Sequence, residues 1–142
     1  MPPDLEIQIK RLAREKNKEV FLRKCFDFVA LRNSGKRYEF ITEFGKVFES
    51  RLEKIWRDKN YAPSTATTFL LRTMLVKSGK FKNHEIKQKM TLNWFIIPHQ
   101  YLQVKISKNK TIFLDPWAYK FGVPFGKYAR GIQAGKLFVI KK

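Results

Sequence analysis

The stretch His99-Gln100-Tyr101-Leu102-Gln103-Val104-Lys105-Ile106-Ser107-Lys108-Asn109-Lys110-Thr111-Ile112-Phe113-Leu114-Asp115 decides the fold. Leu102, Val104 and Ile106 alternate with Tyr101, Gln103 and Lys105, and Ile112 and Leu114 alternate with Thr111 and Phe113, the period of two that marks a half-buried strand. Pairing Val104 with Ile112 and Leu102 with Leu114 puts all four apolar side chains on one face, whereas a slip of one residue would set apolar against polar throughout. That register predicts a three-residue loop, Ser107–Asn109, with Asn109 in the left-handed position such loops need. It also pairs Tyr101 with Asp115 and makes His99 a diagonal neighbour of Asp115, at about 7–8 Å between backbones. An Asp so placed accepts from one imidazole nitrogen, fixes the tautomer and leaves the other nitrogen as a base.

Working outward from the hairpin, Leu92, Trp94 and Ile96 alternate with Thr91, Asn93 and Phe95 as a preceding strand. Gly and Pro punctuate 116–135, and Leu137–Ile140 is a candidate last strand. Upstream the period is helical. Leu5, Ile9 and Leu12, then Phe21, Cys25 and Phe28, predict a basic amphipathic helix over 5–32 with a weak middle at Glu15–Lys18, ended by Asn33-Ser34-Gly35. Tyr38, Ile41, Phe44, Phe48, Leu52 and Ile55 predict a second helix to about Lys59, with Trp56 at the edge of its stripe. Pro63-Ser64 opens a third, with Phe69, Leu70, Met74 and Leu75 apolar, Lys77 in the last turn and Gly79 just past its end. A polar link, Lys80–Lys89, leads to the strands. Helices first and an antiparallel meander second predict an α+β fold, with N-terminal helices on one side of a small antiparallel sheet. The expected organisation is one domain, 1–142, helical over 1–60 and a helix plus sheet over 61–142.

The chain has 142 residues, 44% of them hydrophobic and 15% aromatic, with formal net charge +18. A domain of this size buries roughly 70% of the surface its unfolded chain exposes, and thirteen Phe, three Trp and five Tyr supply a core, which excludes a disordered basic tail. The charge is uneven. Residues 1–71 carry 15 basic and 10 acidic side chains, whereas 72–142 carry 15 basic ones against Glu85 and Asp115 alone. The C-terminal half is therefore suited to an anionic partner. Cys25 is the single cysteine, which excludes an intrachain disulfide and fits a cytoplasmic or other intracellular reducing compartment. No apolar run is long enough to be a transmembrane segment.

Ser64 stands at the start of the third helix, where Ser is a preferred N-cap and where the helix dipole also favours a nucleophile. The two roles differ in the partner: a cap bonds its own helix, and a nucleophile lies near His99. The other histidine, His84, falls between Asn83 and Glu85 and is expected to face solvent.

A helix-start nucleophile, an apolar helix ending in Gly, a His opening one strand and an Asp-Pro closing the next resemble the transglutaminase-like branch of the papain-type cysteine enzymes. The strings Ile97-Pro98-His99-Gln100-Tyr101-Leu102-Gln103-Val104 and Phe113-Leu114-Asp115-Pro116-Trp117 carry most of the likeness, over about Tyr61 to Trp117. Ser64 lies 15 residues before Gly79 and 35 before His99, which lies 16 before Asp115, similar to the family spacing. The resemblance implies a transglutaminase-like core, a catalytic set of Ser64, His99 and Asp115, and acyl transfer or amide hydrolysis, with no cofactor and no metal. The chain departs from the family where it has Ser64 in place of the nucleophilic Cys, and a hydroxyl is far less ionised than a thiol. The expectation is a degenerate triad whose activity is lost or altered. Cys25-Phe26-Asp27-Phe28 offers a rival match to the nucleophile string, but Cys25 lies in the apolar stripe of its helix, as a small buried hydrophobe does.

Trp117, Tyr119, Lys120, Lys127, Tyr128 and Arg130 interleave rings with cations, a mixture that suits single-stranded nucleic acid and also a sheet edge covered by long Lys stems. The partners expected from charge are a polyanion such as RNA or DNA, or an acidic protein. Peripheral contact with an anionic membrane through the basic first helix is a further expectation. The functional alternative to the degenerate triad is a non-enzymatic basic protein that binds nucleic acid.

Overall fold

Two helices stand where the apolar spacing predicts one. In a computed structural model that describes residues 1–32, 51–57, 63–93 and 97–130, α1 spans Pro3–Leu12 and α2 spans Lys18–Arg32. The break has a local cause. Asn17 Oδ1 accepts the backbone N–H groups of Glu19 and Val20 at 2.9 and 3.1 Å, so Asn17 caps the start of α2. The apolar stripe resumes beyond the cap, with Leu5 and Ile9 of α1 and Phe21, Leu22, Cys25, Phe26 and Val29 of α2 all buried in one cluster.

Helix α3, Leu52–Arg57, buries Ile55 and Trp56 but is shorter than the second expected helix, because Arg51, inside that span, is not helical and its carbonyl accepts the first α3 amides, those of Lys54 and Ile55. Tyr38, Ile41, Phe44, Phe48 and the break at Asn33–Gly35 lie outside the described residues. The end of α2 is joined to α3 by Arg32, whose guanidinium lies 3.7 Å over the Trp56 ring and donates to the Trp56 carbonyl. Helix α4, Ser64–Lys77, has the limits that the sequence predicts, and Gly79 follows it at φ +74°, a conformation that favours glycine.

The sheet has three antiparallel strands in the order β1 (Ile86–Asn93), β2 (Ile97–Ser107) and β3 (Lys110–Leu114). Leu102 pairs with Leu114 and Val104 with Ile112, the register expected from the alternation. The loop differs from expectation. Ser107 pairs with Lys110 around a two-residue turn, Lys108–Asn109, and the extra residue is absorbed by an irregularity between Lys105 and Ser107. Strand β1 also begins earlier than the expected link allows, because Ile86 finds a buried place opposite Val104 while Lys87, Gln88 and Lys89 are exposed along the sheet edge. Trp94–Ile96 and Leu137–Ile140 lie outside the described residues.

Helix α4 packs on β2 and α2 packs on α4. Leu70, Leu71, Met74 and Leu75 of α4 meet Leu102, Val104, Ile112 and Leu114 in a fully buried layer, and each such side chain contributes about 1.5–3 kcal/mol relative to exposure. Among the described residues no helix is long and apolar enough to cross a membrane. Because Asn17 supplies the acceptor for two helix-end donors, Asn17→Ala is expected to lower stability by about 1 kcal/mol and Asn17→Gly by only a few tenths, measured by denaturant unfolding.

Candidate active site

The site forms where β2 enters the sheet and β3 leaves it. His99 and Asp115 are both buried, and His99 Nε2 lies 2.6 Å from Asp115 Oδ2. A carboxylate only accepts, so the ring proton is on Nε2 and Nδ1 is the nitrogen able to take up another. Asp115 also accepts the backbone N–H of Ala118 on Oδ1 at 3.0 Å and that of Ala129 on Oδ2 at 2.9 Å. Three donors thus satisfy a side chain with no exposure, as burial of such a group requires. Nothing in the sequence marks the two amides, since any residue but Pro supplies one.

Trp117 covers the histidine, its ring centroid 5.1 Å from that of His99, and leans in turn on Phe121 at 4.8 Å. The 3₁₀ turn Ala118–Phe121 holds this arrangement and ends at Gly122, φ +94°. Tyr101, next on the same face as His99, stacks on Tyr128 with centroids 4.0 Å apart, and Phe113 meets Tyr128 edge-on at 5.2 Å. Burial raises the Tyr101 hydroxyl above its ordinary pKa, with further upward contributions from Tyr128 and Asp115.

Ser64 does not cap its helix. Pro63 holds the N-cap position, and Ser64 Oγ, on the first helical residue, accepts the backbone N–H of Gln100 at 3.3 Å. This puts the hydroxyl one residue along the backbone from His99, whose ring, like Tyr101, belongs to the face of β2 opposite α4. Among the described residues Ser64 makes no hydrogen bond to the His99 ring. On the helix side of β2, the Thr68 hydroxyl lies 3.1 Å from Gln100 Oε1, tying the same strand residue to the first turns of α4.

The expected ring-and-cation set divides. Trp117 and Tyr128 pack as above, and Tyr119 meets Phe26 edge-on at 5.5 Å, so these rings already have partners inside the protein. Lys120 is half-buried, and burial lowers its pKa. Lys127 and Arg130 are exposed, as is His84. Cys25 is buried in the core, which pushes its thiol up to about 12 and makes it a poor nucleophile at neutral pH. Among the described residues no three His, Cys, Asp or Glu side chains cluster as metal ligands. No family model, curated protein or solved structure matches the chain.

Two outcomes follow from this geometry. Asp115→Ala strands the His99, Ala118 and Ala129 donors in a buried site and is expected to cost about 3–5 kcal/mol in chemical unfolding. Cys25 is expected to resist an aromatic disulfide reagent in mildly alkaline buffer until denaturant exposes it, when one thiol equivalent appears by absorbance.

Proposed function

We propose that the chain carries a transglutaminase-like core in which Ser64, His99 and Asp115 form a degenerate acyl-handling triad. Its acyl-transfer or amide-hydrolysis activity is lost or altered, and the basic β half binds an anionic partner. The observation that carries the reading is the 2.6 Å contact of His99 Nε2 with Asp115 Oδ2, which leaves Nδ1 for a nucleophile's proton. The bond from Gln100 N–H to Ser64 Oγ supports it, because it holds the helix start against the strand residue next to His99.

In acyl transfer the nucleophile loses its proton to the base as it attacks the carbonyl carbon, and the base then returns that proton to the leaving amine. Asp115 positions the imidazole and stabilises its charged form. Trp117 excludes water from one side of the ring. The weak link is position 64: a serine hydroxyl needs the base to remove its proton in the act of attack, whereas a thiol in the same place is ionised by a neighbouring imidazole beforehand.

Ser64→Cys tests this directly. The new thiol is expected to react with iodoacetamide well below the ordinary cysteine pKa of about 8.5, in a pH profile distinct from that of Cys25. The low-pH reactivity should vanish in Ser64→Cys/His99→Gln, with circular dichroism confirming that the double variant is folded. A profile like that of an unperturbed thiol in the single variant would sink the triad.

A further inference from the structure

The outer face of the sheet, away from the helices, carries a set of cations that the triad does not use. Strand alternation sends Leu102, Val104, Ile112 and Leu114 to the helix side, so Tyr101, Gln103, Lys105 and Phe113 take the opposite face. Across the β1–β2 ladder Lys87 pairs with Gln103 and Lys89 with Tyr101, which puts both lysines on that outer face. Lys87, Lys89 and Lys105 are all exposed, as is Lys127, next to the Tyr128 that stacks on Tyr101. Three lysines therefore share this face with a group of three rings, Tyr101, Phe113 and Tyr128, and exposed Lys127 adjoins the last of them in sequence.

Among the described residues no acid on this face pairs with them. The two acids of residues 72–142 are both engaged elsewhere: Asp115 is buried on His99, and Glu85 pairs with Lys18 at 3.4 Å and accepts the Lys82 N–H. Among the described residues Lys87, Lys89, Lys105 and Lys127 make no ion pair. Some lysines elsewhere on the surface are matched. Lys24 holds Glu15 and Lys110 holds Glu19.

We infer that this face binds single-stranded nucleic acid, with Lys87, Lys89, Lys105 and Lys127 along the phosphates and the half-buried rings of Tyr128 and Phe113 as the surface against which bases pack. The inference rests on the anionic partner of the proposed function and is independent of the triad. The aromatic content separates this partner from the other polyanions. Bases stack on flat rings in a basic groove, whereas a lipid surface takes protruding apolar side chains. The protruding ones of this sheet, Met90 and Leu92, at 60% and 50% exposure, alternate onto the other face.

The test uses the full chain and a fluorescein-labelled single-stranded oligouridylate, followed by anisotropy across a salt series. Log affinity is expected to fall with log salt by about 0.7 per phosphate neutralised. Lys87→Gln/Lys89→Gln/Lys105→Gln should lower that slope by about 2. Tyr128→Leu, which keeps an apolar packing group over Tyr101, should weaken binding by roughly fivefold or more through lost stacking. A variant with the same charge removed from the helical side, Arg14→Gln/Lys16→Gln/Lys77→Gln, should leave affinity within about twofold at moderate salt, where charges beyond a Debye length are screened. Equal losses in both triple variants would overturn the assignment to this face. Absence of oligonucleotide binding, or binding to phosphatidylserine vesicles or acidic polypeptide alone, would overturn nucleic acid as the partner. Neither result touches the thiol-reactivity test of the triad, which involves no oligonucleotide, so the two readings fail separately.

Discussion

In the β2–β3 ladder Leu102 stands opposite Leu114 and Val104 opposite Ile112, and both the core and the site depend on that register. Side chains alternate, so a shift of β3 by one residue would turn Ile112 and Leu114 away from α4 and set its polar or outward residues against Leu102 and Val104 instead. The same shift would separate His99 from Asp115. The apolar layer that α4 needs, worth several kcal/mol in the four sheet residues alone, thus fixes the geometry of a polar pair just beyond its last rung, Leu102 with Leu114. The pair requires no separate scaffold, because packing sets its backbone positions and the 2.6 Å hydrogen bond completes them.

Asp115 extends that constraint to the segment after the sheet. It accepts from the amides of Ala118 and Ala129 as well as from His99, so three points of the chain converge on one buried carboxylate. The convergence explains how the chain between Pro116 and Arg130, which contains neither a strand nor an α-helix, takes a defined path. It puts Trp117 on His99, brings Tyr128 over Tyr101 and buries Ala118 and Ala129. Removing the carboxylate would leave donors that water cannot reach, a larger penalty than the loss of hydrogen bonds at a surface.

What could be read from the sequence was what strong periodicity encodes. The limits of α4, the position of Gly79 and the β2–β3 register all follow from apolar spacing with turn residues in phase. The break at Asn17 showed only as a weak middle at Glu15–Lys18, because apolar residues continue on both sides of it and the cap's geometry is what shows that the helix restarts. The start of β1 falls inside the polar stretch Lys80–Lys89, because an edge strand exposed on both faces has no alternation to detect, and Ile86 is a single inward residue. In the site, the proximity of His99 to Asp115 followed from register, whereas the amides of Ala118 and Ala129 could not, since backbone donors leave no trace in residue identity. Ser64 opens α4 as expected, and its displacement is from the N-cap role alone: with Pro63 as N-cap, its hydroxyl is free of the helix end and reaches β2 instead.

That displacement bears on the chemistry. An N-cap side chain is held by its own helix, so a nucleophile there would have to break a cap bond before it could turn to a base. At the first helical residue no such bond exists, and the Ser64 oxygen is oriented by a donor from outside the helix, the Gln100 amide. A donor directed at an oxygen stabilises negative charge on it, and the positive end of α4 acts in the same sense. Both effects would assist a group that is already ionised and are small against the proton affinity of an alkoxide. If the proposed triad holds, the backbone around position 64 would suit a thiolate better than the hydroxyl it holds, and the identity of one atom, sulfur or oxygen, would separate a cysteine-type site from the degenerate one proposed for this chain.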